Sequence, residues 1–219
     1  ESIGKAAENA HWQQTAVCLC VIPTAIEFYC PTKAKGHTKP QRPTIDNIHS
    51  QLSPEVKAID AYAALKAHRN EDIYLRTDHH WAPLGAYYAA QEFARVAEEP
   101  FPDTTAYDKH IVRRFVGSMY GYSKDVAVKN APEDFIYYTP NNVEYSTTYI
   151  NFTINDKYQV TGESHSYKGV YFFKYKDGNG AAYSTFMGGD TKLTTVKTST
   201  QNGRRVLIIK DSFGNALPG

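Results

Sequence analysis

The sequence predicts an α/β fold built on a parallel sheet, with a β-rich insertion in its second half. Three observations carry this. The first is a nearly continuous apolar run, "TAVCLCVIPT" at 15–24, whose β-branched residues suit a strand covered on both faces. The second is the alternation of strand and helix patterns that follows, which argues for parallel pairing. The third is the return, after a tyrosine-rich middle, to a strand-like run in "RVLIIKDS" at 205–212. With 219 residues, 42% hydrophobic and 21% charged, the chain has apolar material for one substantial domain over 1–219.

The elements follow in order. After the first strand, Val56, Ile59, Ala63 and Ala67 recur at helical spacing, so "SPEVKAIDAYAALKAH" reads as an amphipathic helix with Ser53 as N-cap and Pro54 at its first position. "EDIYLRT" at 71–77 reads as a short second strand. Pro83 opens another helix whose packing face is Ala86, Ala90, Phe93 and Ala97.

From about 110 to 190 the composition changes. Twelve of the 17 tyrosines lie between Tyr107 and Tyr183, in alternating or aromatic runs such as "DFIYYTP" and "VEYSTTYINFTI" that end in turn residues. A sheet packing its own rings explains them better than stacking platforms for sugar rings. "YKDGNGAAY" predicts a hairpin on its D-G turn.

Charge and cysteines exclude more than they assign. Lys plus Arg (24) balance Asp plus Glu (23) for a net charge of +1, so there is no footprint for nucleic acid or an anionic membrane surface. The longest apolar run, "AVCLCVIP", stops at Pro23, far short of a membrane span. Cys18, Cys20 and Cys30 match neither a disulfide framework nor a paired metal spacing, and read as small buried hydrophobes. The chain opens at Glu1 and stops at Gly219 just beyond a strand and turn. A preceding targeting segment or anchor, and further C-terminal structure, are therefore expected.

Two polar clusters follow the predicted strands: Asp78, His79 and His80 in "RTDHHWAP", and Asp211 with Ser212. In an open parallel sheet both would lie on the carboxyl rim, where ligands bind. A serine hydroxyl needs a nearby base, and a neutral imidazole serves if a carboxylate fixes its tautomer. The D-x-H spacing of Asp78 and His80 can supply that pair on one side of the chain, with His79 pointing away. The turn at Ser212 lacks the G-x-S-x-G pattern of the α/β-hydrolases. Each residue also has a plainer reading. Ser and Asp after strands are commonly caps, and Asp78, His79 and His80 with His110, His165 or Asp190 could form a mixed metal site. Against metal, adjacent residues on an extended chain face opposite ways.

The motifs "YLRTDHHWAPLGAYYAAQ" and "VLIIKDSFGNALPG", with "CVIPTAIEFY" near the start, "FVGSMYGYS" in the middle and "YSTFMGGD" before the last strand-like run, resemble the DHHW family of bacterial surface proteins, itself similar to the SGNH hydrolase-like alginate O-acetyltransferases. The resemblance implies a three-layer αβα domain. Thr77, Asp78, His80 and Trp81 match a T-D-x-H-W motif that supplies the catalytic Asp and His, and Ser212 matches the nucleophile. Asp190 stands where the resemblance implies Asn, leaving Asn215 and Gly189 as oxyanion candidates beside the Ser212 backbone N–H. Trp81 and Tyr120 are substrate-binding candidates. The implied activity is hydrolysis or transfer of O-acetyl esters on an exported or cell-envelope polysaccharide, without cofactor or metal. The rival reading is a non-catalytic surface protein that binds glycan.

Overall fold

The computed structural model describes residues 16–190 and 192–218. They fall into two compact units: the described chain up to Tyr74 with Leu84–Pro102, and Leu75–Pro83 with the chain from Asp103 onward.

In the first unit β1 (Val17–Cys20) pairs in parallel with β2 (Val56–Ile59), placing Val17 opposite Val56 and Cys20 opposite Ile59. Burial pushes the Cys20 thiol up to about 12, so it remains a protonated packing group at neutral pH. The helix expected from Ser53 onward is therefore two elements. Val56 and Ile59 follow a helical period, but pairing with β1 makes that stretch a strand, a tertiary override of local pattern. The helix α3 begins only after it, at Ala61–Ala67, where the carboxylate of the N-cap Asp60 accepts the Ala63 N–H at 3.0 Å. The helices α1 (Ala25–Tyr29) and α2 (Arg42–Ser50) precede β2, and α4 runs over Pro83–Ala97. Pro83 opens α4 as expected, but the face that is fully covered holds Ala86, Ala89 and Ala94; Ala90, Phe93 and Ala97 lie half-buried at its margin.

The second unit is the β-rich region. The strand β3 (Tyr107–Phe115) pairs antiparallel with β4 (Glu133–Pro140), and the short helices α5 (Ser118–Ser123) and α6 (Val126–Lys129) lie between them in sequence. Beyond them β5 (Tyr145–Ile154) pairs antiparallel with β6 (Val160–Glu163), β7 (Tyr167–Gly169) and β8 (Lys192–Thr198). Phe115, Phe135, Tyr137, Tyr183 and Phe186 are all buried and meet ring to ring at centroid distances of 5.4 to 6.4 Å. Much of the aromatic content thus fills its own core.

Three expected elements take other forms. Residues 71–77 form no strand beyond a bridge at Tyr74, because the N–H groups of Arg76 and Thr77 donate to the Glu133 carboxylate, not to a ladder. The D-G pair at Asp177 and Gly178 does turn, with Gly178 at φ +76. Its partners, however, are the N–H and C=O of Arg113 on β3, so it makes a docked turn and not a hairpin. The run before Ser212 forms no strand among the described residues, and Val206, Leu207 and Ile209 are exposed. Among the described residues β1 with β2 is the parallel pair and the other sheets are antiparallel, which makes the fold mixed α/β.

Candidate active site

The stretch 76–80 is a bend, not an extended strand, and what bends it is a buried carboxylate. Glu133, at the inward-facing start of β4, accepts the N–H of Arg76 at 3.0 Å and both the N–H and hydroxyl of Thr77, at 2.7 and 2.6 Å. The Thr77 hydroxyl in turn accepts the Gly117 N–H at 3.1 Å, and the Thr77 carbonyl accepts the Met119 N–H at 3.0 Å. The bend is thereby pinned to the start of both β4 and α5.

Asp78 emerges from this bend into a buried position, 7% exposed. Its Oδ1 accepts the backbone N–H of His80 at 3.0 Å and lies 2.6 Å from His80 Nδ1, while Oδ2 accepts the Ser118 N–H at 2.8 Å. Burial alone would raise its pKa, but the hydrogen bonds from His80 and Ser118 outweigh that and hold the carboxyl well below the usual carboxylate range. The opposite nitrogen of the imidazole, Nε2, lies 2.9 Å from Ser212 Oγ. Nδ1 bound to a carboxylate fixes the tautomer whose Nε2 lone pair faces the serine.

Ser212 opens a tight turn, Ser212–Ala216, capped by the Asp211 carboxylate on the Phe213 N–H at 3.0 Å. The turn is held from one side by Trp81, whose indole N–H donates to the Phe213 carbonyl at 2.8 Å. Tyr183 holds it as well, donating its phenol to the same carbonyl at 3.1 Å. The Tyr183 ring also stacks on His80, centroids 3.9 Å apart and planes 6° off parallel. Burial pushes the Tyr183 phenol far above its ordinary value, so it stays a neutral donor.

The structure places several of the other expected residues away from the role expected. Trp81 is fully buried and offers no face to a substrate; it is a prop for the turn. Tyr120 is half-buried, with the Lys129 ammonium 5.8 Å over its ring. Tyr122, not among the expected residues, is 77% exposed and sits edge-on to His79 at 6.0 Å. The Asn215 amide is buried and donates to the Asp190 carboxylate at 2.7 Å, while Lys210 bonds the Asn215 carbonyl oxygen. Gly189, at φ +115, has its N–H on the Phe186 carbonyl at 3.4 Å. His79 does not point away: because the chain bends, its ring lies 3.8 Å from that of His80, and its Nδ1 is 2.6 Å from Ser118 Oγ. Burial, then the neighbouring His80 charge, lower its pKa. His110 pairs instead with Thr139 at 2.9 Å.

Glu133 and Tyr183 had no motif to mark them. For Glu133 a signal exists: the alternation that turns Phe135 and Tyr137 inward, extended back one step, turns Glu133 inward too. Nothing local points to Tyr183.

Asp78, His80 and the turn serine Ser212 thus form one continuous hydrogen-bonded chain within a mixed α/β fold. The particular family follows from comparison: the DHHW protein family matches residues 6–218, and the chain belongs to it. A DHHW family protein from Eubacterium siraeum is 37% identical, with a TM-score of 0.82 over 98% of this chain and 69% of that one. Bacillus cereus PatB1, solved with a sulfonyl adduct, is 18% identical with a TM-score of 0.68 over 98% and 72%. A shorter likeness, 24% identical with a TM-score of 0.42 over 57% and 50%, is to the O-acetyltransferase domain of Pseudomonas putida AlgJ. Among curated proteins none matches significantly.

Proposed function

We propose that the protein is a serine O-acetyltransferase or esterase acting on an acetylated polysaccharide of the cell envelope or exterior. The observation that carries this reading is the continuous hydrogen-bonded chain from Asp78 through His80 to Ser212, with spacings of 2.6 and 2.9 Å. His80 Nε2 takes the proton from Ser212 Oγ as Oγ attacks the acetyl carbonyl. The Ser212 backbone N–H donates to the oxyanion. Asp78 keeps the imidazole oriented and stabilises its protonated form. The proton then passes from Nε2 to the leaving sugar oxygen, and water or a second hydroxyl accepts the acetyl group from Ser212. The exposed ring of Tyr122 beside His79 is the surface on which a sugar would stack. Among the described residues no helix is long and apolar enough to cross a membrane.

The test is acetate release from a small aryl acetate by the full-length protein, compared with Ser212→Ala and His80→Ala. Each substitution is expected to lower the rate about 10³-fold or more. A sulfonyl fluoride, which leaves its sulfonyl group on an activated hydroxyl, should label Ser212 and fail to label the His80→Ala protein. Equal rates in all three proteins would overturn the reading in favour of a non-catalytic glycan-binding role.

A further inference from the structure

On an extended chain Asp78, His79 and His80 would face alternate ways and share no ligand. The bend at 76–80 removes that obstacle. One coordinating atom from each of the three residues lies within 4.8 Å of the others. Asp78 Oδ1 is 2.6 Å from His80 Nδ1 and 3.8 Å from His79 Nδ1. Donors around a tetrahedral zinc at about 2.0–2.2 Å are roughly 3.3 Å apart, so displacements near 1 Å would gather these three around one ion. Two imidazoles and a carboxylate are a donor set suited to zinc. The Ser118 N–H on Asp78 Oδ2 would orient the carboxylate from behind. The Ser118 hydroxyl, 2.6 Å from His79 Nδ1, or a water would complete the sphere. Asp78 and His80 are buried, but the His79 side chain is 39% exposed and gives the ion a way in.

We propose that Asp78, His79 and His80 form a zinc-binding site whose occupation switches the serine off. The ion takes the place of the proton on His80 Nδ1. The imidazole keeps one proton, which moves through solvent to Nε2, so His80 then donates to Ser212 Oγ and can no longer accept from it. No carbon bond changes and no electron is transferred. The metal is an inhibitor competing for a base, not a cofactor. Binding stands on the geometry alone; its inhibitory consequence rests on the function proposed above.

Zinc chloride titrated into the full-length protein by calorimetry should bind one ion per chain, and added to the aryl acetate assay should inhibit reversibly with chelator. His79→Ala and His79→Gln should keep the basal rate while weakening zinc binding and inhibition about 10-fold or more. Ser212→Ala should bind zinc as the parent does, and His68→Ala, which removes a separate His–carboxylate pair at Glu71, should change neither quantity. Zinc binding that disappears in both His79 variants while every protein lacks esterase activity would support the site and overturn the catalytic reading. Unchanged zinc sensitivity in both His79 variants, or no zinc uptake by the parent protein, would overturn the site.

Discussion

Gly117 lies against Asp78 so closely that no side chain fits between them: a Cβ at position 117 would fall 2.4 Å from Asp78 Oδ2 and 2.5 Å from its Cβ. Glycine is needed there for close approach, since its φ of -85 is open to any residue. Gly117→Ala must therefore push the carboxylate off His80. A displacement of that size is expected to lower acetyl-ester turnover about 10²-fold and to destabilise the fold by about 1–3 kcal/mol through overpacking. Thermal denaturation and the aryl acetate assay read the two effects. A Gly117→Ala protein with parental rate would show that Asp78 need not hold its place.

Asp78→Asn keeps the shape of the bend but cannot fix the His80 tautomer in the same way. The expected loss is about 10³- to 10⁴-fold in kcat, with KM for the ester little changed. A change confined to KM would contradict the orienting role.

The same carboxylate makes stability pH-dependent. Its folded pKa lies below the ordinary aspartate value of 3.8, so the unfolded chain binds the proton first as the medium is acidified. The stabilisation is complete above about pH 4 and is lost as the pH falls from there toward the folded value. Urea denaturation at a series of pH values should accordingly find the parent more stable than Asp78→Asn at pH 7, with the gap closing below pH 4. A gap that widens in acid would reverse the assigned sign.

Tyr183 touches the imidazole with its face and the Ser212 turn with its hydroxyl. Tyr183→Phe retains the stack and should keep most of the parental rate. Tyr183→Leu removes it. Because an aromatic pair contributes about 0.5–1.5 kcal/mol, that variant should lose about 2- to 10-fold in rate. Equal rates for the Phe and Leu variants would confine Tyr183 to packing.

Glu133 is the anchor of the bend. Glu133→Ala strands the buried N–H and hydroxyl of Thr77 and the part-buried N–H of Arg76, at a cost of about 2–4 kcal/mol, and should release Asp78 and His80 with it. Glu133→Gln keeps one acceptor oxygen and should recover part of both stability and rate. If chemical denaturation ranks the two variants equally, the Glu133 hydrogen bonds are not what holds the bend.

The sequence by itself determined which residues make up the candidate site. Asp78, His80 and Ser212 are legible from a D-x-H spacing and a serine after an apolar run, and the start of α4 is legible from Pro83, because these are local chemical requirements. It also determined the β-rich region, since alternating aromatic runs bounded by turn residues leave little else for the chain to do. Only the tertiary structure decided which way each side chain faces. Val56–Ile59 carries a helical period yet pairs with β1, because a strand partner outweighs a weak propensity. Trp81 is conspicuous in sequence but lies buried under Phe213, and His79 turns toward His80 because Glu133, more than fifty residues away, bends the chain between them. Contacts between distant residues set these directions, and no short window of sequence contains both partners.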